Sequence, residues 1–347
     1  MSKTILHILN TNSYSGAENV AITIIRQFQK QNSDFRFVYV SLEGPIRAVL
    51  QNNQIEFESI TKVCRKEIRR VIKKYKPDVI HAHDFTASII SAISTLKIPV
   101  ISHIHNNSPW IKKVGKNSIA YAISCLRYKK ILGVSPSVFD EYVFGKYFRK
   151  KELIIGNPID LEVVRDAALN ASKKQSYDIV FLGRLTEPKN PLLFVDIIKE
   201  LSQKQTIKAC MIGDGELRNC IEEKIQTYNL SATITLEGFV ENPHGILKES
   251  KVLCLPSTWE GFGLVAVEAL ALGKPVVASP VGGIPTIIVG GEGKLCQSKT
   301  EFVNELRALL TSENAYNTAS TAAFARAEEL ENIKGYIQTL EDVYNEE

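Results

Sequence analysis

Short apolar runs alternate with amphipathic stretches along almost the whole chain. In the first half, Thr4–Leu9 and Phe35–Ser41 read as buried strands, and apolar positions recur at helical spacing from about Ala17 to Gln31 between them. Asp78–His83, Ile98–His103, Ile131–Ser135 and Leu153–Ile155 continue the strand pattern. In the second half, Tyr177–Leu182, Lys208–Ile212, Ile234–Glu237, Val252–Leu255 and Pro275–Ala278 read as strands with helices between them. Near-continuous apolar strands separated by helices predict parallel sheets covered on both faces, an α/β fold. The polar, alanine-rich stretch Glu162–Ser176 precedes a fresh strand and reads as a junction, giving a first domain over 1–165 and a second over 166–330. A last amphipathic helix, about 330–347, is expected to pack back on the first domain. The 347 residues suffice for two separate cores.

Composition narrows the class. With 44% apolar and 23% charged residues, the chain reads as globular rather than disordered. No apolar run approaches the roughly 18 residues of a membrane span. The N-terminal run Ile5–Leu9 is too short for a secretory signal and reads as a strand. Six cysteines are scattered without a Cys-x-x-Cys pair, which suits reduced core thiols in a cytoplasm. The net charge of +4 hides an asymmetry, for residues 1–160 carry 24 Lys+Arg against 12 Asp+Glu, and the remainder 18 against 26. A basic half can attract a membrane surface, a phosphorylated substrate or nucleic acid, or it can simply be solvated lysine-rich helix faces. Trp110–Lys116, Ile119–Leu126 and Arg127–Lys130 mix apolar anchors with cations. That mixture suits peripheral docking on anionic lipid, against a core helix with a solvated face. No nucleic-acid module is recognisable, so nucleic acid is not an expected partner.

In open α/β sheets ligands bind beyond the carboxyl ends of the strands, and two such sheets facing each other would enclose a cleft. Four strand-to-helix loops carry candidate chemistry. Asn10–Glu18 contains Gly16 just before a helix, where backbone N–H groups favour an anion. Phe181–Pro191 runs a strand into Gly183-Arg184, with Lys189 beside Asn190, the expected cap of a helix starting at Pro191. There a fork donor and a point charge could clasp a diphosphate, or stand as surface cations near Glu187. Met211–Leu217 is a strand, a turn through Gly213 and Gly215, and a helix, which would let the backbone approach a nucleotide or serve as scaffolding. In Pro256–Gly273 every residue from Leu264 to Leu272 is apolar except Glu268. A carboxylate there requires donors, from ligand hydroxyls or from an internal Arg or Lys. Glu260 precedes that helix in a loop freed by Gly261 and Gly263, and it could bind ligand or complement the helix dipole. Two carboxylates and exposed amides suit a polyhydroxylated anion such as a nucleotide sugar.

Glu260-Gly261-Phe262-Gly263-Leu264, followed after three residues by Glu268-Ala269, resembles the Glu-x7-Glu signature of the retaining glycosyltransferases of family 4, which have the two-domain GT-B fold. Gly183-Arg184-Leu185 with Lys189-Asn190, Gly213-Asp214-Gly215, Gly238-Phe239-Val240, Pro275–Ser279 and Gly282-Gly283 follow in that family's order. The resemblance implies two Rossmann-like domains facing across a cleft and a nucleotide-sugar donor, with uridine diphosphate the expected leaving group. It assigns Arg184 and Lys189 to the diphosphate, Glu268 to the ribose, the backbone near Val240 to the base, and Gly213 to the nucleotide side. Glu260 would hold sugar hydroxyls, the amides of Phe262, Gly263 and Leu264 would seat the sugar, and Gly16 would approach the phosphates. His105 matches the family's strand-end histidine beside the reacting sugar, with His103 its rival. The implied reaction is sugar transfer with retention to a hydroxyl acceptor, lipid-linked or oligosaccharide, in cell-surface polysaccharide or glycolipid synthesis, with no metal in the transfer step. A nucleotide-sugar-binding protein without transfer is the alternative. Where that family opens its first loop with Gly-Gly-Ala-Glu, this chain has Ser15-Gly16-Ala17-Glu18, and the Ser15 side chain would narrow the loop.

Other chemistries lack their parts. His81-Ala82-His83-Asp84 places two histidines on one strand face, but no third ligand follows at metal-site spacing. Gly-x-Ser-x-Gly and an early Gly-x-Gly-x-x-Gly are both absent, against a serine hydrolase and a dinucleotide oxidoreductase.

Overall fold

The apolar runs fold as strands of two parallel sheets, each in its own unit. The computed structural model describes residues 2–13, 16–31, 33–106, 108–171 and 176–346. One unit comprises Met1–Pro158 with Ile333–Glu347, the other Ile159–Asn332.

The first unit contains β1 (Lys3–Ile8), β2 (Phe35–Leu42), β3 (Phe57–Ile60), β4 (Val79–His83), β5 (Val100–Ile104), β6 (Tyr128–Gly133) and β7 (Glu152–Ile154), in the order β3-β2-β1-β4-β5-β6-β7. The order reverses between β1 and β4, which pair in register with His7 opposite His81. Every residue of β4 and β5 is buried, as expected of strands covered on both faces, yet His81, His83, Ser102 and His103 are among them. The helix Gly16–Lys30 buries Val20, Ala21, Ile24, Ile25 and Phe28 along one stripe. The last helix, Ile333–Asn345, does belong to this unit. It buries Tyr336, Ile337, Leu340, Val343 and Tyr344, and Lys3 Nζ reaches Asn345 Oδ1 at 2.9 Å. The short β3 has no sequence signal, for Phe-Glu-Ser-Ile follows a polar stretch and spans only four residues.

The second unit contains β8 (Ile179–Leu182), β9 (Ala209–Ile212), β10 (Ile234–Gly238), β11 (Val252–Leu255), β12 (Val276–Ala278) and β13 (Gly293–Leu295), in the order β10-β9-β8-β11-β12-β13. The reversal here falls between β8 and β11. The chain enters this unit at Ile159, ahead of the Glu162–Ser176 stretch that composition singles out. The reason is the helix Leu161–Leu169, capped by Asp160, whose Arg165 donates to the Ala271 carbonyl at 3.2 Å and whose Ala167 carbonyl accepts from Asn242 at 2.8 Å. The part of that alanine-rich stretch up to Leu169 is therefore a packed helix and not a linker. Among the described residues no helix is long and apolar enough to cross a membrane.

Candidate functional site

The second unit gathers its candidate residues at the reversal between β8 and β11, where an open sheet leaves a crevice at its strand ends. The loop after β8 holds Arg184 and the turn Glu187–Lys189, and the loop after β11 holds Ser257 to Gly263. The amides of Thr258 and Trp259 donate to the Pro188 carbonyl at 2.9 and 3.2 Å, so the two loops are strapped together. Lys189 Nζ donates to Glu260 Oε1 at 2.6 Å, and Ser257 Oγ donates to the same oxygen at 2.9 Å. Glu260 is only 8% exposed, and a carboxylate so deep needs these donors. Its Oε2 accepts nothing among the described residues and is free for ligand hydroxyls. Arg184, at the strand end, is exposed and makes no ion pair among the described residues. Lys189 is thus a structural partner as well as a cation, while Arg184 is an uncommitted fork donor. Asn190 precedes Pro191 as expected but does not cap with its side chain, because it sits in the left-handed region at φ 50° instead of the extended cap conformation.

Glycines hold these loops from behind. Gly213, with φ 134°, lies so close to Gly183 that a Cβ would stand 2.0 Å from the Gly183 carbonyl oxygen. It serves the approach of two strand ends, which is the scaffolding reading of that turn. A Cβ on Gly282 would stand 1.8 Å from the Glu260 carbonyl oxygen, and one on Gly283 2.6 Å from that of Phe262. The Gly282-Gly283 pair thereby backs the Glu260 loop. Gly263 adopts φ 102°, which no β-carbon tolerates easily, and opens the helix Leu264–Ala271. The amides of Phe262 and Gly263 donate no hydrogen bond among the described residues, and that of Leu264 lies in the first helical turn. Glu268, the polar residue of that helix, meets neither Arg nor Lys among the described residues. Its Oε2 lies 3.5 Å from His244 Nε2, while His244 Nδ1 and Asn242 Oδ1 are 3.0 Å apart. Val240, just past β10, is half-buried against the core. His244 and Ser257 carry no sequence signal as site residues, because their contacts with Glu268 and Glu260 come from folding, and Asn242 joins them only through His244.

In the first unit the reversal lies between β1 and β4. Gly16 opens the helix that follows β1, and a Cβ there would meet nothing within 4 Å, so no packing among the described residues requires the glycine. Ser15 and its effect on the loop lie outside the described residues. Glu18 is buried on that helix and accepts from Thr11 Oγ1. His105 follows β5 at the strand end and is 6% exposed, whereas His103 lies deeper and is fully buried. Asp84 carries no sequence signal as a site residue in its own right. It sits at φ 61°, rare for a residue with a β-carbon, and its Oδ1 accepts the His105 amide proton at 3.0 Å. Burial, with the Glu18 charge adding to it, pushes the Asp84 carboxyl up to about 7.

Five of the six histidines, all but His244, form one buried ladder on the same sheet face. His83 Nδ1 and His105 Nε2 are 2.8 Å apart, His83 Nε2 and His7 Nδ1 2.9 Å, and His81 Nε2 and His103 Nδ1 3.1 Å. Tyr344, from the last helix, brings its hydroxyl within 2.7 Å of His81 Nδ1. Burial pushes His7 and His105 down to about 3, with Asn157 pulling His105 the other way, and holds His81, His83 and His103 well below the usual imidazole range. The third ligand that spacing along His81-Ala82-His83 fails to supply is available across the sheet, for His7, His81 and His83, and again His83, His103 and His105, place ring nitrogens within 4.8 Å of one another. The cysteines are free thiols, and burial raises Cys125 to about 12 and Cys296 to about 11, as befits inert core residues.

Comparison with known proteins matches both units. The model described as "Glycosyltransferase Family 4" matches residues 14–163, and "Glycosyl transferases group 1" matches 165–326. An uncharacterised glycosyltransferase of Methanocaldococcus jannaschii is 28% identical over 237 residues, 61% of this chain and 58% of its own length. The Campylobacter jejuni GalNAc-alpha-(1->4)-GalNAc-alpha-(1->3)-diNAcBac-PP-undecaprenol alpha-1,4-N-acetyl-D-galactosaminyltransferase is 26% identical over 328 residues, covering 88% of this chain and 89% of that one. The crystal structure of Anabaena HepE in complex with UDP and glucose is similar in fold, with TM-score 0.84 at 18% identity, over 97% of this chain and 98% of that one.

Proposed function

The chain belongs to glycosyltransferase family 4, nucleotide-sugar-dependent transferases of the GT-B fold, and from that premise we propose that it moves a sugar with retention from a uridine diphosphate sugar to a hydroxyl of a lipid-linked acceptor. The observation that carries the donor site is the strapped pair of loops, in which Lys189 and Ser257 hold Glu260 while Arg184 stays uncommitted. The similar HepE structure holds UDP and glucose, which supports the donor, and the Campylobacter relative is named for an undecaprenol diphosphate acceptor, which supports the lipid link. Cell-surface polysaccharide or glycolipid synthesis is the setting that such an acceptor implies.

In this reading Arg184 and Lys189 bind the diphosphate, and Glu268, oriented by His244, accepts from the ribose hydroxyls. Glu260 Oε2 accepts from the sugar, and the amides of Phe262, Gly263 and Leu264 seat it. The backbone at Val240 meets the base, and Gly16 leaves room for the phosphates. The anomeric carbon breaks its bond to the β-phosphate oxygen and forms one to the acceptor oxygen on the same face, while the acceptor proton passes to the departing phosphate. Cations already in place for the charge that grows on that phosphate supply the main stabilisation. His105 stands at the strand end as the first unit's contribution beside the sugar, and no metal is assigned to the transfer. Binding without transfer is the weaker reading, since every donor-side residue of the signature is present.

The first unit's basic face supports peripheral attachment to anionic lipid on the cytoplasmic side. Val114, Ile123 and Leu126 are 66%, 61% and 70% exposed, beside exposed Lys112, Lys113, Lys116 and Arg127. Trp110 and Ile111 are not the anchors, for Ile111 is fully buried and Trp110 packs edge-on against Phe85 at 4.7 Å. Flotation with vesicles containing anionic lipid, and its absence with neutral vesicles, is expected; failure with both rejects attachment. The donor reading is tested by thermal unfolding with a panel of nucleotides in chelator. UDP at 100 times its Kd should add about 2.7 kcal/mol, and the gain should fall to about 0.4–1.4 kcal/mol in Arg184→Ala. No rise with any nucleoside diphosphate or nucleotide sugar would reject the donor site.

A further inference from the structure

The histidine ladder has a use beyond sugar transfer. We propose that His83, His103 and His105 form a binding site for a borderline divalent transition-metal ion such as Zn2+. These three place one ring nitrogen each within 4.8 Å of the others, at the carboxyl ends of β4 and β5. His103 Nε2 is buried and has no hydrogen-bond partner among the described residues, which is costly for a polar atom unless a ligand uses it. Imidazole nitrogens without sulfur or a carboxylate in the set suit Zn2+, Co2+, Ni2+ or Cu2+ over Mg2+ or Ca2+.

The groups behind His103 and His83 are those that a metal site requires. A ligating histidine donates its other ring N–H to a fixed acceptor, which sets tautomer and orientation. With His103 Nε2 on the metal, its Nδ1–H points to His81 Nε2 at 3.1 Å, and His81 Nδ1–H then points to the Tyr344 hydroxyl at 2.7 Å. With His83 Nδ1 on the metal, its Nε2–H points to His7 Nδ1 at 2.9 Å, and His7 Nε2 faces the same hydroxyl at 3.4 Å. Asn157 lies beside the third ligand, His105. Both branches thus end on one tyrosine oxygen, and the tautomers agree throughout.

The ion replaces the proton shared between His83 Nδ1 and His105 Nε2, now 2.8 Å apart. A tetrahedral ion with metal–nitrogen bonds of about 2.0–2.1 Å needs those atoms roughly half an ångström further apart. The proton is not lost from the protein, for each imidazole is neutral before and after, and His105 carries its own on Nδ1. Because burial keeps the rings neutral, they are competent ligands at neutral pH without first shedding protons. Asp84, next after His83, accepts the His105 amide proton through Oδ1 at 3.0 Å and so fixes the backbone that carries that ligand. Three protein ligands leave a further position for water.

The test uses the full chain, stripped with chelator and titrated with Co2+ alone at pH 7.5. One equivalent is expected to bind with visible d–d absorption, to be displaced by Zn2+, and to be lost in His103→Gln while His244→Gln keeps it. Should His103→Gln fail to fold, X-ray absorption of the Co2+-loaded natural chain decides, with three imidazole nitrogens expected in the first shell. No stoichiometric binding, undiminished binding in folded His103→Gln, or fewer than three imidazoles overturns the proposal. No nucleotide enters the measurement, so its failure leaves the transferase reading untouched.

Discussion

Arg184 and Lys189 are both cations at one strand end, yet the structure separates what their loss would do. Arg184 is exposed and unpaired among the described residues, so Arg184→Ala should leave unfolding stability within about 0.5 kcal/mol while weakening UDP binding about 10- to 100-fold. Lys189 holds the buried Glu260 at 2.6 Å, so Lys189→Ala strands a carboxylate and should cost the second unit about 2 kcal/mol as well as donor affinity. Adding Glu260→Gln to Lys189→Ala should recover most of that stability and none of the transfer. Urea unfolding set beside a transfer assay checks both, and equal destabilisation by the Arg184 and Lys189 variants would contradict the pairing. Glu260 and Glu268 were legible as carboxylates needing donors because each sits against apolar or glycine-rich neighbours. The identity of the donors was not legible. Lys189 is 71 positions from Glu260, and the partner of Glu268 is a histidine from a different helix.

At the scale of elements, the strand ends are held together by backbone contacts that only glycine permits. Gly213→Ala would drive a methyl to 2.0 Å from the Gly183 carbonyl, so it should destabilise the second unit by several kcal/mol, or prevent its folding. Gly16→Ala meets nothing within 4 Å and should leave the first unit's stability unchanged or slightly raised, since alanine favours a helix. Any loss of UDP binding in that variant then reports ligand approach and not folding, which calorimetry on the folded variant reads directly. The alternation of apolar runs made both parallel sheets legible, because strands such as Val252–Leu255 are buried on both faces and leave no other reading. It did not reveal β3 or β13, which are short and carry Glu or Gly and Lys at their centres or ends. Nor could it reveal that the histidines of β1, β4 and β5 stack on one face, because that requires the strand order as well as the alternation.

For the whole molecule, the buried ladder and Asp84 make the first unit's stability depend on pH with opposite signs. The imidazoles take up protons near pH 6.5 when unfolded, but His7 and His105 refuse them until about pH 3 in the fold. The unfolded state therefore binds more protons through that window, and stability falls as pH falls from 6.5 toward 3. Asp84 acts the other way. Its folded value near 7 stands above 3.8, so the native state keeps a proton that the unfolded chain has released, and stability falls as pH rises from about 4 to 7. Several histidines oppose one carboxyl, so the net slope between pH 4 and 6.5 should follow the histidines. Asp84→Asn tolerates φ 61° and retains an oxygen for the His105 amide, so it isolates the carboxyl. This variant should be more stable than the natural chain above pH 7, and its stability should fall more steeply below, by about one proton or 1.4 kcal/mol per pH unit near pH 5. The two units need not unfold together, so the transition must be assigned. The chain's two tryptophans allow it, because Trp110 lies in the first unit and Trp259 in the second. In a Trp259→Phe background the fluorescence follows the ladder's own unit. A flat pH profile between 6.5 and 4 in that signal would mean the histidines take up protons within the fold, and the closed, neutral ladder would have to be abandoned.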